Sequence, residues 1–174
     1  MDYSDLPELA KILQDPEVMY AYEGAFGNAE TEKWLKYQRL SYGVYGYGLW
    51  AVILKPDADT PRAAPEASGR MIGQCGITRQ KVGDQEVLEI GYGFQKSFWG
   101  RGYATEAALA CRDYGFSKLG ADALYAIIRD NNLASMNVAI RLGMRVCDRI
   151  IKHYRGVDMP HLVFSVRRDS QDSK

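Results

Sequence analysis

The sequence lacks the features that mark several large classes of protein. Its 174 residues carry 22 Lys plus Arg and 22 Asp plus Glu, so the formal net charge is zero. A balanced charge argues against a general nucleic-acid or anionic-membrane binder. Neither a signal peptide nor an apolar run of membrane-spanning length is present. We therefore expect a cytoplasmic protein without a nucleic-acid or membrane partner, folded as one domain over residues 1–174.

Cysteine is also scarce. The three cysteines, Cys75, Cys111 and Cys147, are odd in number and widely spaced. They do not form a metal-binding pattern, no His/Asp cluster has metal-ligand spacing, and no G-x-S-x-G elbow occurs. We expect free, buried cysteines, no metal ion, and no nucleophilic Cys or Ser that would form a covalent intermediate.

The hydrophobic periodicity predicts a mixture of helices and strands. Asp5, with Glu8 three residues later, has the pattern of a capping box at the start of the first helix. The Tyr- and Gly-rich residues 42–48 are predicted to form a loop, with the alternative that their aromatic side chains line a binding pocket, and residues 56–68 are predicted to form a turn. Helices are predicted over residues 29–40, 104–119 and 132–143, and strands over residues 49–54, 70–79, 86–94, 124–128, 146–153 and 160–166.

The stretch from Glu89 to Glu106 joins a predicted strand to a predicted helix through the turn Gly100-Arg101-Gly102. Backbone N–H groups at a helix N-terminus form an anion site, and glycine lets the backbone approach a ligand closely. The turn lacks the Gly-Lys-Ser/Thr of a Walker A loop and is not G-x-G-x-x-G. It predicts either a phosphate or pyrophosphate site or a tight turn that binds no ligand.

The residues of this turn resemble the phosphate loop of the GNAT acyltransferases, Q/R-x-x-G-x-G/A. The string W-G-R-G-Y-A at residues 99–104 matches that pattern except at Trp99, where the family has Gln or Arg. The longer string W-G-R-G-Y-A-T-E-A is similar to the RimJ/RimL-like branch, as are N-L-A-S at residues 132–135 and R-L-G-M at residues 141–144. The resemblance implies an α/β (α+β) GNAT fold, in which helices flank a mixed, mostly antiparallel sheet that is splayed between its two central strands.

The resemblance also implies an N-acetyltransferase that moves the acetyl group of acetyl-CoA to a primary amine by direct attack. The acceptor is a protein N-terminus or a small-molecule amine. The alternatives are a non-catalytic CoA-binding or partner-binding module on the same fold and, more remotely, an ATP binder. The expected cofactor-binding residues are Tyr92, Gly93, Phe94, Trp99, Gly100, Arg101, Gly102, Tyr103, Ala104, Thr105 and Asn132.

Two residues are the candidates for proton transfer. Glu89 lies in an otherwise apolar strand, where burial raises a carboxyl pKa, and it is the expected base. Alternatively, it pairs with a basic residue on a neighbouring strand. Many GNAT proteins carry a tyrosine acid at the position of Ala139, so Ser135 is the expected substitute, with Asn132 orienting it or acting as a plain helix cap. A third possibility is that the thiolate leaves without a dedicated acid.

The predicted acceptor site lies in the N-terminal helical region. Aromatic walls with one carboxylate suit an amine on an apolar or peptide stem, although the same aromatics also suit simple packing. Related proteins begin with an additional strand that is missing here, so the strand over residues 49–54 is expected at an edge of the sheet, and a homodimer is expected to cover it. The expected acceptor-binding residues are Tyr20, Tyr22, Glu23 and Phe26.

Overall fold

The computed structural model describes residues 1–22, 24–55, 69–154 and 156–168. Residue Glu23 and the turn predicted over residues 56–68 lie outside this part of the chain. The α-helices are α1 Leu6–Leu13, α2 Asn28–Tyr45, α3 Tyr103–Ser117 and α4 Leu133–Arg141. The strands are β1 Leu49–Ile53, β2 Met71–Val82, β3 Gln85–Phe94, β4 Ala123–Arg129, β5 Arg145–Tyr154 and β6 Val157–Arg167.

The strands form one sheet with the order β1-β2-β3-β4-β6-β5. β4 pairs antiparallel with β6 from Ala123 opposite Arg167 to Arg129 opposite His161, and β5 pairs antiparallel with β6. β3 and β4 are parallel, with Glu89 opposite Tyr125. The mixed and mostly antiparallel α/β fold expected from the sequence is therefore confirmed.

The backbone ladder between β3 and β4 ends close to Glu89. Tyr125 is the register partner of Glu89, and the Ile127 N–H group lies two residues further along β4. In a continued parallel ladder this N–H would find a carbonyl on β3. Instead it donates to the carboxylate of Glu89, with an N···O distance of 3.1 Å. A side chain thus replaces a backbone acceptor at this point, which is the local geometry expected where two central strands begin to separate.

The chain divides into two compact units. Unit 1 comprises Met1–Cys75 with Tyr92–Tyr103, and unit 2 comprises Gly76–Gly91 with Ala104–Lys174. The prediction of one domain stays a prediction. In unit 2, the buried Gly115 of α3 brings the helix close to β4, since an added Cβ would lie 2.8 Å from Leu124 Cδ1. The buried cluster of unit 1 consists of Leu9, Ile12, Leu13, Met19, Leu35 and Met71.

Two local predictions differ from the structure near the N-terminus. Asp5 does not cap α1, because a short 3₁₀ helix, Tyr3–Asp5, precedes it and gives Asp5 a helical conformation. The capping box belongs instead to Asp2, which accepts from the Ser4 N–H, while Asp5 accepts from the Asp2 N–H. Residues 42–45, predicted as loop, continue α2, which ends at Gly46 in a left-handed conformation with φ 78°.

β1 lies at one end of the sheet, as predicted. Within residues 1–22 the structure has only helical turns and α1. No helix in the part of the chain that is described is both long and apolar enough to cross a membrane. The homodimer proposed to cover β1 stays a prediction.

Gly73 on β2 offers a test of the packing of unit 1. An added Cβ would lie 2.4 Å from Cδ1 of Phe94, whose ring is 5% exposed. Overpacking of this kind costs about 1–3 kcal/mol, so we expect Gly73→Ala to lower the free energy of unfolding by that amount in urea titrations.

Gly43 provides the matched control. It lies inside α2, and an added Cβ would meet nothing within 4 Å. Gly43→Ala is therefore expected to raise the free energy of unfolding by about 0.5–1 kcal/mol through helix propensity. Equal stability of the two variants would contradict the packing of Phe94 against Gly73.

Candidate active site

The turn before α3 has the conformation that its glycines predict. Gly100 and Gly102 have φ values of 72° and 87°, in the left-handed region that glycine adopts without strain. An added Cβ at either position would meet nothing within 4 Å, so the space beside this backbone is open. α3 begins directly afterwards, at Tyr103, and the first N–H groups of an α-helix have no acceptor within the helix. Open space beside bare N–H groups is what an anionic group requires.

Aromatic residues of unit 1 fix the shape of this turn. The indole N–H of Trp99 donates to the carbonyl of Phe94, with an N···O distance of 2.9 Å. Phe98 is buried, and the Arg101 guanidinium carbon lies 5.7 Å from the centre of its ring. Trp99 was predicted to contact the cofactor, and in the structure its indole ties the turn to the end of β3. A Gln or Arg at this position would not supply the same rigid indole donor.

The end of β3 is fixed by its packing in unit 1. Gly93 lies against α1, since an added Cβ would be 3.4 Å from Ile12 Cγ2. The Gln95 N–H donates to the carbonyl of Ile72, and the Gln95 side chain donates to the Glu8 carboxylate at 2.7 Å. The backbone from Tyr92 to Phe94, which was predicted to bind the cofactor, therefore lies at the C-terminal end of β3, where these contacts restrict its movement.

Glu89 is a carboxyl group of unit 2 whose pKa is raised. Its Oε1 accepts from the Ile127 N–H at 3.1 Å, and its Oε2 accepts from the Thr78 hydroxyl at 3.3 Å. Burial raises its pKa, whereas the positive charge of Lys152 and these hydrogen bonds lower it, and the net pKa lies above the ordinary value. Its hydrogen-bond donors are uncharged, and Lys152 supplies the neighbouring positive charge. Lys152 lies on β5, which β4 and β6 separate from β3, so the role of Glu89 as base and its pairing with a basic residue on a neighbouring strand both stay predictions.

Asn132 caps α4, as predicted. Its side-chain oxygen accepts from the backbone N–H of Ser135, with an N···O distance of 3.1 Å. This contact fixes the first turn of the helix and places the half-buried Ser135 on it. The cap accounts for Asn132 as a structural residue, and its role toward a cofactor stays a prediction.

The predicted acceptor residues have different environments within unit 1. Tyr20 and Tyr22 are 43% and 49% exposed. Phe26 instead packs edge-on against Trp34, with ring centroids 5.9 Å apart, beside the buried cluster of α1 and α2. Phe26 therefore has a packing role, whereas the two tyrosines are accessible. Glu23 lies outside the described residues.

No group of three or more His, Cys, Asp or Glu in the described ranges is placed to hold a metal ion. His161 is buried, with its Nδ1 2.7 Å from the Met159 carbonyl, and burial lowers its pKa.

One cysteine prediction is wrong. Cys75 and Cys111 are buried as expected, but Cys147 is exposed. Cys147 is the extra residue of a β-bulge on β5, at the outer edge of the sheet, where the register shifts between Val146 and Asp148. A bulge on an edge strand turns a side chain away from the core, and this local irregularity has no signal in the hydrophobic pattern.

Sequence reasoning missed the surroundings of Glu89. Thr78 and Gln80 are two residues apart on β2, so the alternation of a strand places them on one face. The Gln80 amide nitrogen lies 3.4 Å from the Thr78 hydroxyl oxygen, and that hydroxyl reaches Glu89. Two polar residues at this spacing, on either side of Arg79 near the end of β2, were the available signal.

Comparison with known sequences finds a family profile and a relative that match this chain. The profile described as acetyltransferase (GNAT) domain matches residues 1–145. The uncharacterized protein YkkB of Bacillus subtilis (strain 168) is 37% identical over 141 residues, which make up 81% of this chain and 76% of that protein.

Solved structures share the fold. The acetyltransferase from Agrobacterium tumefaciens str. C58 matches with a TM-score of 0.74 and 24% identity, over 97% of this chain and 88% of that chain. RimL, a ribosomal alpha-N-protein acetyltransferase solved in complex with coenzyme A, matches with a TM-score of 0.69 and 17% identity, over 98% and 93% of the two chains.

Proposed function

Because this chain belongs to the GNAT acetyltransferase family, we propose that it transfers the acetyl group of acetyl-CoA to a primary amine by direct attack. The observation that carries the proposal is the turn before α3, where Gly100 and Gly102 are left-handed and open on the side that a Cβ would fill. A pyrophosphate fits such a turn because N–H groups and the helix dipole favour negative charge there. RimL, which shares the fold, was solved with coenzyme A.

The cofactor contacts that we propose follow from this turn. The N–H groups from Gly100 to Thr105 hold the pyrophosphate, and Trp99 keeps the turn in place. Arg101, which is exposed, supplies positive charge. The backbone of Tyr92, Gly93 and Phe94 pairs with the pantetheine arm and supplies a donor to the developing oxyanion. Asn132 adds a further contact from the start of α4.

Glu89 is the proposed base. A primary amine near pKa 10 is mostly protonated at neutral pH, so its attack requires a proton acceptor. Glu89 takes the proton that the nitrogen loses as the new C–N bond forms and the C–S bond breaks. Ser135 donates the proton that the leaving sulfur takes and regains a proton from solvent, and Glu89 releases its proton to solvent before the next turnover. The raised pKa of Glu89 supports this role, because it brings the carboxylate closer to the working pH.

The acceptor that we propose is an amine on an apolar or peptide stem. The exposed rings of Tyr20 and Tyr22 suit such a stem, and Glu23 suits the cation. A protein N-terminus and a small-molecule amine both have this chemistry.

The test of the function is the release of free thiol from acetyl-CoA across a panel of amines, including N-terminal peptides, polyamines, amino acids and aminoglycosides. We expect at least one amine to accelerate thiol release well above hydrolysis. We also expect acetyl-CoA to raise the melting temperature and ATP not to raise it, because ligands that bind only the folded state stabilise it.

The outcomes separate the rival functions. Stabilisation by acetyl-CoA without thiol release for any amine would indicate a CoA-binding or partner-binding module. Stabilisation by ATP alone would assign the glycine turn to a nucleotide instead.

A further inference from the structure

Hydrogen-bond donors from β2 and β4, the two strands that flank β3, converge on the carboxylate of Glu89. The Thr78 hydroxyl on β2 donates to Oε2 at 3.3 Å, and the Ile127 N–H on β4 donates to Oε1 at 3.1 Å. Gln80, also on β2, donates from its side-chain amide to the Thr78 hydroxyl at 3.4 Å. Each carboxylate oxygen thus has a donor, and the hydroxyl donor is itself held by an amide.

We infer that Thr78 and Gln80 are positioning residues for acetyl transfer, which together with the Ile127 N–H hold the Glu89 carboxylate in the orientation that accepts the proton of the amine. The inference rests on the proposed role of Glu89 as the base. Neither side chain is placed in contact with the reacting atoms, so both act through Glu89.

The direction of the hydrogen bonds supports this assignment. A hydroxyl has one proton to donate and lone pairs that accept. Because Thr78 accepts from the Gln80 amide, its own proton remains directed toward Glu89. Hydrogen bonds in such a chain polarise one another, which strengthens the final contact with the charged carboxylate. Ionised carboxylate oxygens accept at about four positions, so two donors leave room for the proton of the amine.

We call the hydrogen-bond chain from Gln80 through Thr78 to Glu89 the relay. A purely structural role explains this chain less well. Thr78 is 8% exposed and follows a run of buried residues on β2 that ends with Ile77. A valine of the same shape would fill this site without a polar group. The hydroxyl therefore adds a hydrogen bond to Glu89 rather than packing volume.

The charged and polar groups that face Glu89 have opposing effects. Burial raises its pKa, and the Lys152 ammonium on β5, the Ile127 N–H, Thr78 and Gln80 lower it. Loss of the Thr78 hydrogen bond removes one of the effects that lower the pKa of Glu89. We therefore expect this pKa to rise further.

The variant that tests the relay is Thr78→Val, which keeps the shape and removes the hydroxyl. We expect the pKa of Glu89 to rise by about one unit, since a hydrogen bond to a charged group is involved. A carbon-13 NMR titration of glutamate-labelled protein measures this pKa directly, and the Glu89 carboxyl signal is assigned by its loss in Glu89→Gln. The acidic limb of the kcat/KM profile is expected to move to higher pH by the same amount, and Thr78→Ser to restore both.

Gln80→Met is the second variant and serves if Thr78→Val does not fold. It removes the amide donor from a partly exposed side chain, and we expect a smaller rise of the same pKa. An unchanged pKa of Glu89 in the folded variant would overturn the relay.

The two measurements distinguish failure of this inference from failure of the proposed mechanism. In one outcome, Glu89→Gln removes the acidic limb of the kcat/KM profile, but Thr78→Val changes neither that limb nor the pKa of Glu89. The relay is then wrong and the assignment of Glu89 as the base stands. If Thr78→Val raises the pKa while Glu89→Gln leaves the pH profile unchanged, Glu89 is not the base and the positioning role is overturned with it.

Discussion

Replacement of Glu89 by Gln is expected to lower kcat by about 10²- to 10⁴-fold at neutral pH, the usual contribution of a general base. The amide has nearly the shape of the carboxylate but cannot accept the proton of the amine. Because CoA is held elsewhere in the proposed mechanism, its dissociation constant should change little. The loss should also narrow as pH rises, since a growing fraction of the amine is then already neutral.

Glu86→Gln is the matched control for this variant. Glu86 lies on the same strand, is exposed, and forms a surface ion pair with Arg79. The Glu86→Gln substitution removes one negative charge, as Glu89→Gln does. Surface ion pairs contribute little to stability, and Glu86 has no proposed role in the reaction. Pre-steady-state and steady-state assays between pH 6 and 10 would compare the two. A pH–rate profile of the same shape in Glu89→Gln and the unaltered enzyme would exclude Glu89 as the base.

Replacement of Gly102 by Asp is expected to abolish the stabilisation of the protein by acetyl-CoA. The new side chain would occupy the open space beside the turn and place a carboxylate near the phosphate groups. Like charges about 4 Å apart near a protein surface repel by about 4 kcal/mol, which corresponds to a loss of affinity on the order of 1000-fold. Calorimetric titration with CoA measures the loss directly.

The control for backbone strain is Gly120→Asp. Gly120 also has a left-handed conformation, with φ 66°, and an added Cβ there would likewise meet nothing within 4 Å. It follows the C-terminal end of α3, at the opposite end of the helix from the turn. Unchanged CoA affinity is expected in Gly120→Asp. The phosphate assignment fails if a folded Gly102→Asp protein binds CoA as tightly as Gly120→Asp does.

The features that the sequence predicted well are those that depend on local chemistry. Gly100 and Gly102 adopt left-handed conformations, and Asn132 caps α4, because each property follows from a residue and its immediate neighbours. The glycine turn and the start of α3 could therefore be located before any contact was known.

Residues 42–45 show why other predictions failed. Tyr and Gly have modest helix propensity, so a loop was the reasonable expectation. In the structure, the Tyr42 hydroxyl donates to the carbonyl of Leu49, and the Gln38 side chain accepts from the Leu49 N–H. These contacts with the start of β1 stabilise the last turns of α2, and contacts between residues distant in sequence override propensity.

The surroundings of Glu89 depend on such distant contacts as well. Its isolation in an apolar strand predicted a raised pKa, which is confirmed in direction. The identity of its partners depends on the register of β4 and on the position of Lys152 on β5. Neither can be obtained from periodicity alone, so the carboxylate was predictable and its hydrogen-bond donors were not.

The native cysteines can be used to measure local opening of the structure by thiol labelling. Cys147 is exposed, so we expect it to react with thiol reagents in the native state, whereas Cys75 and Cys111 are buried. A buried thiol is modified only when the structure around it opens, so its labelling rate reports the free energy of that opening. Cys75 belongs to unit 1 and Cys111 to unit 2. The labelling rates of Cys75 and Cys111 therefore report the free energy of local opening in each unit separately, without an engineered probe.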